Sequence, residues 1–279
     1  MRTKLNPRSH LPLFRRFLSQ GAKPASPASS PEEVLAPLDP PYRAALLSMY
    51  RNEPQLGAGG QLHPIDPHTR VSPRQGMELY DLCVSLNAQS TLEIGMAYGF
   101  STLYFLGALA RNHAGRHTSI DPFQHSQWHA IGLTHARAVA TGSAFRLIED
   151  RSDRVAADLA RQNARFDMIF IDGNHRFDDV LVDFYLYAPF CKVGGLIAFD
   201  DIWMHSIQTV LAFIRSNRPD FAEVSTSDPN LSVFRRIGED ARNWRHFRPF
   251  SVSPLNHFFL SSIRPRWRQL PGRLRKAPS

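Results

Sequence analysis

Cysteine is almost missing from this chain: its 279 residues include two, Cys83 and Cys191, far apart and each in apolar surroundings. Two distant thiols do not make a disulfide scaffold. They point to packed, reduced side chains and to a cytoplasmic protein. Long apolar runs are missing as well. The longest are strand-sized, well short of the ~20 residues that a membrane span needs. The start, MRTKLNPRSHLPLFRRFLSQ, has no apolar core long enough for a secretory signal, though its basic, acid-free character leaves a transit peptide open. Acids are scarce at both ends. Six Lys/Arg and no acid precede Glu32, and nine Lys/Arg against two acids follow Gly238, so with +8 overall the residues between are net negative. Basic ends can meet nucleic acid, an anionic membrane or an acidic partner, or can simply be solvated.

What is present is an ordinary globular composition, 43% hydrophobic and 21% charged. Residues 22–37, AKPASPASSPEEVLAP, have linker composition, so residues 1–38 read as a basic, Pro/Ser-rich, unpacked segment. Residues 39–70 read as a short helix, DPPYRAALLSMYRNE, and then a loop that could form a lid. From Ser72 a helix starts, with Ser72 as N-cap and Pro in the first turn. Strands and helices then alternate. The strands are STLEIG, HTSID, AFRLIE, FDMIFID and GLIAFD, and the helices include HSQWHAIGLTHARAVA and DDVLVDFYLYAPF. FAEVST and LSVFRRI close the pattern as a hairpin around SDPN. The expected fold over residues 71–238 is α/β: a doubly wound, mainly parallel seven-stranded sheet with a C-terminal antiparallel hairpin. Residues 239–279 form a basic, aromatic extension with no place in that sheet.

The first strand runs into TLEIGMAYGFST, a Gly-rich turn at a helix start, where a backbone can approach a ligand and free N–H groups can face it. The dinucleotide fingerprint needs glycines at positions one, three and six. Here Gly95 and Gly99 stand at one and five, with Ala97 at three and Phe100 at six. A nicotinamide or flavin loop is thus a poor fit, and the Gly-Lys-Ser/Thr of a P-loop is lacking. Asp121 ends the second strand, where an acid can accept hydrogen bonds from both ribose hydroxyls. Asp172 ends the fourth, and Asp200 and Asp201 end the fifth. If those two strands are adjacent and parallel, their ends lie roughly 5 Å apart. Carboxylates gathered there repel one another and raise each other's pKa. A divalent cation relieves this, and an all-oxygen set suits Mg²⁺.

The Glu93-x-Gly95-x-x-x-Gly99 pattern resembles the first motif of class I S-adenosylmethionine (SAM)-dependent methyltransferases, and the likeness extends from Val71 to about Ile237. It implies a Rossmann-like methyltransferase fold. Glu93, Gly95, Tyr98 and Gly99 would shape the cofactor loop, with the Ser101 hydroxyl on the cofactor carboxylate. Val71 would lie over its methionine part, and Asp150, Ser152 and Asp153 near its adenine. The acidic strand ends resemble those of the metal-dependent O-methyltransferases, catechol-type and antibiotic-sugar-type, in which Asp172, Asp200 and Asp201 would hold the metal. His175 stands where catechol-type enzymes carry a Lys general base. It could take the acceptor's proton beside Asp172, or it could be a structural histidine bonded to its loop.

The implied activity is methyl transfer from SAM to a sugar or phenolic oxygen of a small molecule. Two other readings stand beside it. One is an RNA- or membrane-associated protein using its basic tails, against which stand the acidic centre and the missing base-binding motif. The other is a metal-dependent hydroxylase on the same scaffold. A homodimer is compatible with either. DPPY at Asp39 to Tyr42 mimics the signature of nucleic-acid amino-methyltransferases, but it follows a Pro-containing segment that cannot be a central strand. A metal site at His63, Asp66 and His68 has less to support it. Trp128 could cover the adenine or belong to the packing.

Overall fold

The computed structural model describes residues 30–113 and 115–252, so of the two basic ends residues 1–29 and 253–279 lie outside the described residues. In chain order come α1 (Pro31–Val34), α2 (Pro40–Tyr50), β1 (Gln55–Leu56), β2 (Leu62–His63), α3 (Pro73–Ser85), β3 (Ser90–Ile94), α4 (Phe100–Arg111), β4 (Arg116–Ile120) and α5 (Ile131–Val139). There follow β5 (Phe145–Ile148), α6 (Ser152–Arg161), β6 (Phe166–Ile171), α7 (Phe177–Tyr187), β7 (Cys191–Phe199), α8 (His205–Asn217), β8 (Phe221–Val224) and β9 (Ser232–Arg236).

Seven strands form one sheet in the order β5-β4-β3-β6-β7-β9-β8, parallel from β5 to β7, with β9 antiparallel to both its neighbours. This is the doubly wound fold that the alternation implied. Its central strands are buried on both faces, which is why MIFI and LIAF read as unbroken apolar runs. Met168, Phe170, Leu196 and Ala198 enter the core shared with α2, α3 and α4. Ile169, Ile171, Ile197 and Phe199 enter the opposite core, shared with α6, α7 and α8. The period of two thus divides each strand between two cores.

The helix starts follow local chemistry. Ser72 Oγ accepts from Gln75 N, Ser72 N donates to the Gln75 side chain, and Pro73 fills the first helical position of α3. Gly76 lets α3 press onto α4, since a Cβ there would meet the Tyr104 ring at 2.1 Å.

Three expectations need correction. The unpacked segment ends sooner than residue 38: Ser30 and Glu33 form a capping box for α1, and Leu35 and Leu38 are buried. The loop from Pro54 contains a two-residue hairpin, β1 with β2. The helix after Asp121 begins only at Ile131. His129 and Ala130 adopt left-handed backbone, each with φ 51, and the chain before them is held in turns by the Asp121 carboxylate.

Candidate active site

The strand register builds the site. Ile94 pairs with Ile120 and with Ile171, Ile120 with Ile148, and Ile171 with Phe199. The residues that follow, Gly95, Asp121, Glu149, Asp172 and Asp200, therefore stand in one row at the C-terminal edge. The chain leaves β3 and β4 toward one face and β6 and β7 toward the other. The crevice between β3 and β6 is thus the switch point where ligands bind in such sheets. A single cavity of about 1780 Å³ opens along this edge, larger than most single-ligand pockets.

One half of the cavity belongs to the Gly-rich turn. Gly95 has φ +89, and a Cβ there would lie 2.1 Å from the Asp172 carbonyl, so glycine is what lets the two loops meet. Gly99 does a different job behind the wall: its Cβ would strike Gly132 of α5 at 2.8 Å. Asp121 lines the cavity and organises the turn, with Oδ2 accepting from Met96 N (3.0 Å) and Ala97 N (2.8 Å) and Oδ1 from Phe123 N (2.8 Å). Oδ1 keeps acceptor capacity. Val71 lines the opposite wall and is held by Tyr50, whose hydroxyl donates to the Val71 carbonyl at 3.0 Å while receiving a hydrogen bond from Tyr104. Tyr98 meets Trp128 edge to face at 5.1 Å, and both line the cavity, so Trp128 packs and faces the ligand space at once.

Glu93 does not reach the cavity. It points beneath α4, fully buried, and accepts from Ser101 Oγ (2.7 Å), Ser119 Oγ (2.6 Å) and Thr102 Oγ1, with His117 Nε2 at 3.2 Å. Burial alone would push its pKa up, but His117 and these hydroxyls bring it below the ordinary value. The Ser101 hydroxyl, expected on a cofactor carboxylate, is thereby spent on Glu93. Asp150, Ser152 and Asp153 line the far end. The N-cap of α6 is Arg151, so neither Asp150 nor Ser152 caps that helix. Ser152 Oγ instead donates to Asp183 of α7 at 2.6 Å. Burial pushes the Asp183 pKa up to about 6, the Ser152 bond opposes this, and Asp179 and Asp153 add to it. A lone acid inside the apolar run VLVDFYLY was the available sequence signal for Asp183.

The acidic rim forms the other half. His175 Nε2 lies 3.4 Å from Asp172 Oδ1 and 3.3 Å from Asp201 Oδ2. Asp201 has left-handed backbone, φ 51, and its Oδ1 accepts from Trp203 Nε1 (2.8 Å) and Asn230 Nδ2 (3.2 Å). Asp200 is buried behind them. Its Oδ1 accepts from Asp201 N (2.6 Å), Asn230 Nδ2 (2.8 Å) and Gln75 Nε2. Gln75 and Asn230 were not singled out from sequence. Asn230 stood only within the SDPN turn. Burial raises the pKa of Asp172, a shift opposed by His175 and reinforced by the Asp201 charge. Asp200 is raised well above the usual range by burial and then by Asp172 and Asp201. For His175, burial pulls downward, but the Asp172 hydrogen bond and the charges of Asp172 and Asp201 prevail, and its pKa rises. The described residues include one group of three fit to ligate a cation, Asp172, His175 and Asp201, whose ligand atoms lie within 4.8 Å of one another. The donor set fits a divalent ion.

A mostly parallel seven-stranded sheet with this strand order, a Gly-rich turn after its first long strand and an acid after the next have the form of the class I methyltransferase fold. Residues 92–202 match the family described as "Methyltransferase domain", in line with the resemblance of the first motif. Among solved structures, the O-methyltransferase TomG from Streptomyces achromogenes, of tomaymycin synthesis and in complex with SAM, is 20% identical. It aligns over 72% of this chain and 91% of its own with a TM-score of 0.54. An O-methyltransferase from Bacillus cereus in complex with SAH is 20% identical, over 73% and 92%, with a TM-score of 0.53. The SAH-bound methyltransferase PaMTH1 from Podospora anserina is 15% identical, over 77% and 99%, at 0.57. At these identities the likeness is one of fold. No curated protein matches the chain.

Proposed function

We propose that the protein transfers the methyl group of SAM to an oxygen of a small molecule, with a divalent cation held at the rim. One observation carries this reading: a single cavity joins the Gly-rich turn after β3 to the carboxylates after β6 and β7. The methyltransferase family match and the fold shared with SAM- and SAH-bound O-methyltransferases support it. Bound SAM supplies an electrophilic methyl on a sulfonium, and a cation supplies a grip on acceptor oxygens and a lowered hydroxyl pKa.

The chain's own residues do the rest. Val71, Tyr98 and the turn from Gly95 would hold the amino-acid end of the cofactor, Asp121 its ribose, and Asp150, Ser152 and Asp153 the adenine end. Asp172 and Asp201 would hold the cation, with Asp200 behind them. Catalysis is then mostly placement, with the acceptor oxygen set in line with the methyl carbon. The net negative centre of the chain favours a small molecule over nucleic acid. The two buried free thiols are in keeping with a reducing, cytoplasmic setting. No described helix is long and apolar enough to cross a membrane.

Incubation with labelled SAM and a panel of catechols, sugars and phenolics, with and without EDTA, tests the proposal. Label should reach an oxygen of at least one acceptor and stop doing so in EDTA. Transfer indifferent to EDTA removes the metal role. Failure to bind SAM at all removes the enzyme reading.

A further inference from the structure

We propose that His175 is a ligand of the rim cation through Nε2, taking the place that Asp200 would fill, and that the site selects a first-row transition ion over Mg²⁺. This rests on the methyl-transfer reading of the same cavity and changes the job of its imidazole from proton acceptor to ligand.

The contacts of Nε2 favour this. It lies 3.4 Å from Asp172 Oδ1 and 3.3 Å from Asp201 Oδ2, nearly midway between carboxylates from two different strand ends. A single N–H shared between both oxygens would make a three-centre contact with neither bond linear. Charge-assisted N–H···O bonds are also shorter, about 2.7–2.9 Å. Atoms bound to one ion at about 2.1 Å are instead separated by about 3.0–3.4 Å, from octahedral to tetrahedral arrangement. The two Nε2 distances match those between ligands of one ion and are longer than charge-assisted hydrogen bonds.

The surroundings hold that set in place. Trp203 and Asn230 occupy Asp201 Oδ1 and leave Oδ2 on the His175 side. Ser206 Oγ donates to the His175 carbonyl at 2.6 Å and fixes its backbone. Asp200 is not in the converging group, and three donors share its Oδ1, from Gln75, Asn230 and the Asp201 amide. Two carboxylate oxygens and an imidazole nitrogen form a mixed set. Imidazole suits Fe²⁺, Ni²⁺ and Zn²⁺, whereas Mg²⁺ is served by oxygen ligands; Mn²⁺, the weakest-binding ion of the first-row series, is the paramagnetic lower bound for that preference.

Mn²⁺ and Mg²⁺ are the probes, titrated into the full chain after EDTA dialysis. Affinity is read by calorimetry, and ligation by nitrogen coupling in the Mn²⁺ spin echo. The unaltered protein should show a nitrogen coupling and bind Mn²⁺ at least tenfold more tightly than Mg²⁺. His175→Ala should abolish the coupling and weaken Mn²⁺ at least tenfold while Mg²⁺ changes far less. Asp200→Asn should alter Mn²⁺ affinity by no more than a few fold. Absence of the coupling in the unaltered protein, where no substitution can disturb the fold, overturns the proposal. So does loss of Mn²⁺ binding in Asp200→Asn with its coupling to His175 gone. SAM binding is measured on the same samples. If SAM binds and the metal results fail, only the ligand assignment falls. If the unaltered protein does not bind SAM, the methyl-transfer reading falls.

Discussion

Two buried carboxylates in this molecule have opposite effects on stability. Glu93 has hydroxyl partners on both oxygens and a pKa below the ordinary value, so its contribution is present above that value and is lost as pH falls through the folded pKa. Asp183 is raised from 3.8 to about 6, so the folded state holds its proton more tightly than the unfolded chain. Its effect is most favourable below the unfolded value, declines as pH rises between the two pKa values, and is a full penalty above pH 6. Asp183→Asn keeps an oxygen for Ser152 and removes the titration. It should stabilise by on the order of 2–3 kcal/mol at pH 7.5 and by little at pH 4. Thermal unfolding at both pH values checks this, and an equal gain at both would refute it. At this scale the sequence was only partly legible. Glu93 and Ser101 belong to the cofactor motif, yet Thr91 and Glu93 alternate with Leu92 and Ile94. That alternation already places the Glu93 side chain beneath a helix and away from the strand end.

The hairpin between β8 and β9 shows what elements add. In sequence SDPN is a turn and no more. In the fold Glu78 of α3 accepts from Ser227 N (2.7 Å), Ser227 Oγ (3.0 Å) and Asp228 N (2.7 Å), which pins the hairpin tip and brings Asn230 to the rim. Glu78→Ala should cost roughly 1–2 kcal/mol. It should also raise amide exchange at residues 226–231, leave β3 and β6 protected, and weaken cation binding. Uniform exchange across the domain would show that the tip is held by something else. The elements themselves were legible where the period was clear: α3, β3 and β6 lie where the pattern put them, and β7 covers GLIAF but begins earlier, at Cys191. α5 was extended too far because His129 and Ala130 carry no mark of a left-handed bend. The rim was legible as three aspartates at two strand ends. The contacts from Gln75 and Asn230 were not, since residues 125 and 30 positions away from Asp200 meet it only through the fold.

At the scale of the molecule, the cavity lies between two cores and draws walls from both. A ligand that fills it should therefore stabilise the whole domain. SAM at about a hundred times its Kd adds about 2.7 kcal/mol, a rise in Tm of roughly 5–10 °C for a domain of this size. Scanning calorimetry checks it, and a flat response to SAM would count against the cofactor reading. The helices before α3 take part in the same cooperativity. Leu35, Leu38, Leu46 and Met49 are buried in the core that holds Leu79, Tyr104 and Phe170. The segment 39–70, open from sequence to a lid reading, therefore includes a helix fixed in the interior, and the Tyr50 hydroxyl ties it to Val71. α2 cannot swing on a hinge without uncovering that interior. A protease cutting near Asn52 would leave its two fragments joined by this packing. Stripping α1 and α2 away would take Tyr50 out of the cavity wall and its hydroxyl from the Val71 carbonyl.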